Sequence, residues 1–106
     1  MARKGVLAGA CRTAIGGMGG QFANTSAVEL GTIVIKEALK RAGVSPDQVD
    51  EVYMGNVIQA GNGQNPARQA AVYAGIPNEV PATTINVLCG SGLHCVNLAA
   101  KLIAAG

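Results

Sequence analysis

The residues best suited to covalent chemistry are Cys89-Gly90-Ser91-Gly92-Leu93, preceded by the run Thr83–Leu88. That run is β-branched and apolar enough to read as a buried strand or extended segment. Leu93, Val96, Ala99, Leu102 and Ile103 then follow helical spacing. Cys89 therefore falls where an extended segment turns into a helix. The free N–H groups of a helix's first turn and the positive end of its dipole favour a thiolate there. Thiolate is the nucleophilic form of cysteine. Gly90 and Gly92 carry no side chains, which leaves room for an acyl group and its carrier. The same pattern also describes an inert buried cysteine at a tight turn, with glycines serving only the backbone. Residue types alone leave both readings open.

Other reactive side chains read as structural. His94 is the only histidine, but a helix carries it away from the first turn, so it reads as a solvated or interface residue rather than a base for Cys89. Cys95 shares a face with Val96, Ala99, Leu102 and Ile103 and reads as core packing, and Cys11 as a small core residue. Three cysteines, with no CxxC pair and no zinc-type spacing, offer neither a disulfide framework nor a metal site. A reducing, cytoplasmic setting fits that usage. The glycine-rich stretch Arg12–Gly20 lacks both GxGxxG and the Lys-Ser/Thr of a nucleoside-triphosphate loop. It reads as an irregular loop, with Arg12 free to brace it against a carboxylate.

The elements that must position Cys89 are punctuated clearly. Gly5–Ala10 reads as a short buried strand. Ser26 and Glu29 form a capping box for a helix over Ala27–Ala42, which Gly43 ends as a C′ residue. Ala27, Leu30, Val34, Ala38 and Ala42 mark its buried stripe, broadened by Ile35 and Leu39, and Glu37 pairs with Arg41 in the favourable order. Ser45, Pro46 and Gln48 open a helix of one or two turns. Val52–Ile58 reads as the next, central strand. Asn65 caps a helix with Pro66 at its first position and Gly75 at its end. Arg68 and Gln69 in its first turn read either as partner-subunit contacts or as facing water, and residue type favours water. A proline-bracketed connector, Ile76–Pro81, leads to the Cys89 segment. After the final helix, Gly106 stands where a C′ glycine would.

At 106 residues the chain is long enough for one domain with a core and too short for two. Hydrophobic residues make up 49% and charged residues only 13%, against a usual share of about 25%. That deficit implies a surface partly covered by more chain or by another subunit. A net charge of +2 without a basic cluster, no Trp, one Phe and two Tyr argue against nucleic acid. No apolar run is read as a membrane span, and the start lacks the apolar core of a secretory signal.

The residues resemble those of the thiolases, in particular the biosynthetic, acetyl-CoA-condensing type. The likeness runs through Arg12-Thr13-x-x-Gly16 with Gly19-Gly20, Ala27–Gly31, Gly55-Asn56-Val57, Gly61-x-Gly63–Ala70 and Pro81-Ala82-x-Thr84-Ile85-Asn86. It ends on the specific signature Asn86-x-x-Cys89-Gly90-Ser91-Gly92-Leu93. The resemblance implies an α/β fold: the N-terminal part of a layered α/β/α/β/α architecture, a mixed sheet with helices. Residues 1–106 would form the N-terminal portion of the family's N-terminal domain. It implies Cys89 as the nucleophile that takes an acyl group from a CoA thioester and passes it to the carbanion of acetyl-CoA, or the reverse cleavage of a 3-ketoacyl-CoA. The Cys89 N–H would help bind the oxyanion formed in acyl transfer.

The partners implied are acetyl-CoA and acyl-CoA, in a homo-oligomer, with no cofactor, no metal, no nucleic acid and no membrane. The segment Gln64–Arg68 and the Cys89 strand would lie near the subunit interface. The family's second cysteine and two histidines, which belong to its C-terminal half, are absent, so these 106 residues are expected to be inactive alone. Cys95 stands where the family commonly has a small residue such as Ala, and His94 where it often has Lys or another polar group; both read as tolerated changes. Two alternatives remain: another condensing enzyme of the ketoacyl synthase type, against which the stretch Gly63–Gln69 argues, and a non-catalytic thiolase-derived interaction module.

Overall fold

The computed structural model describes residues 3–106. Local signals decide the helices. Helix α1 spans Ala27–Ala42, with the Ser26 Oγ accepting the Glu29 N–H and the Glu29 carboxylate accepting the Ser26 N–H, both at 3.1 Å. Gly43, at φ 67°, turns the chain out of it, so the Val44 N–H returns to the Leu39 carbonyl at 3.0 Å. Glu37 and Arg41 pair at 2.8 Å, but both are well exposed, and such a pair contributes only a few tenths of a kcal/mol. A single 3₁₀ turn, Pro46–Gln48, follows. Helix α2 spans Pro66–Tyr73 behind the Asn65 cap, and Gly75 closes it in the left-handed region at φ 92°. Helix α3 spans Ser91–Ala105.

Strands β1 (Val52–Gly55) and β2 (Ala82–Ile85) pair in parallel, Val52 opposite Ala82 and Gly55 opposite Ile85. A parallel pair needs a crossover, and α2 supplies it. Side chains alternate across the sheet. Val52 and Met54 face the α1–α2 layer, where Met54 lies close to Gly31 of α1. Gly55 faces the other way, onto the start of α3. The sheet thus stands between α1 and α2 on one side and α3 on the other. Val52, Ala71, Ile76 and Val80 form the centre of the core, with Ile35, Leu39, Val49, Met54 and Ala82 packed on it.

The α/β reading holds, with four differences from expectation. Gly5–Ala10 is not a strand: Val6 is 81% and Leu7 87% exposed, because no third strand is present to pair with the segment among the described residues. Its end lies along α1 instead, where the Arg41 guanidinium donates to the Ala10 carbonyl at 3.0 Å and the half-buried Cys11 thiol to that of Val34 at 3.4 Å. The sheet is a parallel pair rather than a mixed one, and β1 stops at Gly55, leaving Val57 and Ile58 exposed. The buried face of α1 is turned toward Val28 and Gly31, while Ala27 is exposed, because α1 meets α2 closely at Gly31: a methyl group there would lie 3.1 Å from the Ala70 Cβ.

The fourth difference concerns α3. The stretch Leu88–Ala105 is apolar and long enough to count as a membrane-span candidate. The helix within it has 15 residues, about 22 Å at 1.5 Å per residue, short of the ~30 Å hydrocarbon layer. Its apolar side chains are largely uncovered: Leu93 is 67% exposed, and Val96, Leu102 and Ile103 each 43%. Covered surface is what the low charge content called for, and here it has no cover.

Candidate active site

Two loops leave the carboxyl ends of β1 and β2 side by side. Open α/β sheets characteristically present their ligand sites at those ends. The second loop, 86–90, carries Cys89. It is a short, heavily braced turn. The Asn86 carboxamide accepts the Leu88 N–H at 3.0 Å and donates to the Val57 carbonyl of the neighbouring loop at 3.3 Å. The Ser91 hydroxyl accepts the Val87 N–H at 2.9 Å and donates to the Leu88 carbonyl at 2.6 Å. The Ser91 N–H reaches the same carbonyl at 3.0 Å.

Held in this way, Leu88 adopts φ 57°, a left-handed conformation that costs a residue with a side chain about 1 kcal/mol or more. Cys89 follows it directly and is exposed. The inert reading placed this sulfur in the core, and it is exposed instead. Gly90 is the N-cap of α3, so Cys89 stands one residue outside the helix.

Close approach of α3 to the sheet depends on Gly55. A Cβ on Gly55 would lie 2.7 Å from the Ser91 Cβ and 2.8 Å from the Gly92 nitrogen. The first loop is organised from α2. Gln69 donates to the carbonyls of Asn62 at 2.6 Å and Gln64 at 2.9 Å. Arg68 donates to those of Val80 at 2.9 Å and Asn78 at 2.7 Å, fixing the approach to β2. Both side chains therefore bind their own backbone instead of facing water as expected. Asn65 and Thr84 join α2 to β2 by a 2.6 Å hydrogen bond between side chains.

His94 is exposed on α3, and Cys95 is buried, where desolvation raises its thiol pKa above the ordinary value. Ser91, Asn86 and Gly55 are the residues to which sequence patterning gave no role. The only signal for them was the family resemblance, which includes Asn86 and Ser91 in its signature and Gly55 in the stretch Gly55-Asn56-Val57. A groove of about 850 Å³ elsewhere, lined by Val28, Thr32, Ile33, Asn62, Gln69 and Tyr73, does not include Cys89.

Residues 5–106 match the family described as "Thiolase, N-terminal domain". The chain is 61% identical over 101 residues to an acetyl-CoA acetyltransferase of Cupriavidus necator, a match covering 95% of this chain and 26% of that protein. It is 54% identical over 101 residues to one of Escherichia coli, with the same coverage. An acetyl-CoA acetyltransferase of Clostridioides difficile is 58% identical over 92 residues, 87% of this chain and 86% of that one. The chain thus spans about a quarter of the length of the first two relatives. The ketoacyl synthase alternative gives way to these matches, and the braced Cys89 turn sits in a chain that belongs to the thiolase family.

Proposed function

We propose that this chain carries the acyl-accepting half of an acetyl-CoA acetyltransferase, with Cys89 as the nucleophile. The observation that carries the reading is an exposed cysteine at the carboxyl end of a parallel strand, on a turn whose backbone is fixed on both sides. In the proposed reaction the Cys89 thiolate attacks the thioester carbon of acetyl-CoA, and the tetrahedral adduct expels the CoA thiolate. The acetyl group is left as a thioester on Cys89. Exchange between two thioesters is nearly balanced in energy, and a thiolate both attacks and leaves well. The Cys89 N–H is the candidate donor to the oxyanion of that adduct. A second acetyl-CoA, deprotonated by a base from outside these residues, then takes the acetyl group to form acetoacetyl-CoA. Thiolysis of a 3-ketoacyl-CoA is the same path reversed.

The reading includes a homo-oligomer in the cytoplasm, acetyl-CoA and acyl-CoA as partners, and no further cofactor. Exposed apolar residues beside the site, Val87 and Leu88, and along α3 suit burial against more protein. The same surface supports the second reading, a thiolase-derived interaction module without chemistry. Intact mass of the protein isolated from its own cells, with and without acetyl-CoA, separates the two. One acetyl group mapped to Cys89 supports the enzyme. A protein that stays unmodified supports the module.

A further inference from the structure

We infer that Ser91 is a positioning residue for Cys89, its hydroxyl fixing the turn that aims the sulfur. The inference rests on the reading of Cys89 as acyl carrier and deepens it. Ser91 is 4% exposed and is the first residue of α3, but it does not cap that helix; Gly90 occupies the cap position. Its hydroxyl is used instead on the chain leading into Cys89, accepting from Val87 and donating to Leu88. Leu88 is one of two non-glycine residues with positive φ among the described residues. A backbone in that region returns to ordinary conformations unless its surroundings hold it. Asn86 grips the Leu88 N–H, and Ser91 grips its carbonyl.

Without the hydroxyl, the Val87 N–H loses its partner, and the Leu88 carbonyl keeps only the backbone bond from the Ser91 N–H. The peptide that sets the direction of the Cys89 side chain is then held at its carbonyl by one hydrogen bond instead of two. Reaction at a carbonyl is sensitive to such displacement, and a shift of about 1 Å can cost about a hundredfold. Alkylation by a small reagent in solution requires only an accessible thiolate.

The test compares the intact protein with its Ser91→Ala variant. Acetylation of Cys89 by acetyl-CoA, and alkylation of Cys89 and Cys95 by iodoacetamide, are followed by peptide mass spectrometry. Acetylation is expected to fall about ten- to a hundredfold while alkylation of Cys89 stays within about threefold and Cys95 stays protected. Acetylation within about threefold of the parent protein would overturn the inference, as would a parallel fall in both reactions. Alkylation of Cys95 in the variant would overturn it too, since it would mark an opened α3 and a purely structural serine. A parent protein whose Cys89 takes no acetyl group would instead overturn the reading of Cys89 itself, and the inference with it.

Discussion

The Thr84 hydroxyl donates to Asn65 Oδ1 at 2.6 Å and accepts the Ala67 N–H at 3.0 Å, so one side chain on β2 closes the N-terminus of α2. Asn65 completes the arrangement by accepting the Arg68 N–H at 3.2 Å and donating to the Ala82 carbonyl at 3.0 Å. Helix and strand are thereby locked in register beside the loop that adjoins the Cys89 turn. Ala67 is 1% exposed, so its N–H has no recourse to water.

Thr84→Val keeps the shape of the side chain and removes both of these bonds. The orphaned Ala67 N–H should cost about 1–3 kcal/mol. Chemical denaturation of the intact protein should show that loss as a lowered midpoint with little change in slope. A stability within about 0.5 kcal/mol of the parent would mean that the hydroxyl bridge contributes nothing net.

Gly55→Ala tests the approach of α3 to the sheet. The new methyl would fall within 2.8 Å of the Ser91 Cβ and the Gly92 nitrogen, and backbone cannot step aside as a flexible side chain can. Overpacking of this kind costs about 1–3 kcal/mol. Because the displaced residues adjoin Cys89, the variant should lose melting temperature and Cys89 acetylation together. Loss of neither would show that α3 sits more loosely on β1 than the distances require.

Much of this was legible in sequence where the physics is local. Ser26 with Glu29, Gly43, Asn65 with Pro66, and Gly75 each announce a helix end through hydrogen bonds spanning a few residues. The bounds of α1 came out as read. Gly5–Ala10 misled because an apolar run becomes a strand only beside a partner, and sequence does not say whether one is present. Arg68 and Gln69 misled for a related reason: their acceptors lie on loops whose course depends on the tertiary fold. Cys89 stood out by type and setting. The bracing by Ser91 and Asn86 did not, because it exists only once Leu88 is left-handed.

Burial disfavours the charged form of Cys95, so its folded pKa lies above that of the unfolded chain. The stability this contributes is complete below the ordinary thiol pKa and is lost as pH rises through the raised folded value. Unfolding midpoints should therefore decline as pH climbs past about 8.5, and Cys95→Ala should flatten part of that decline. Near neutral pH, iodoacetamide should label the exposed Cys89 well before Cys95. Equal labelling at neutral pH would show that the start of α3 opens readily.

Cys89→Ala separates chemistry from fold most directly. The side chain is exposed, and the hydrogen bonds that brace its turn belong to Asn86, Val87, Leu88 and Ser91. Truncation removes no packing of consequence, and an exposed substitution of this kind typically shifts stability by no more than about 0.5 kcal/mol. Circular dichroism and melting of the intact protein should thus match the parent. Uptake of acetyl from acetyl-CoA should disappear, because Cys95 is buried and Cys11 is half-buried with its thiol turned to the Val34 carbonyl. An acetyl group persisting on either of those cysteines would assign the nucleophile elsewhere, and the braced turn at Cys89 would then need another explanation.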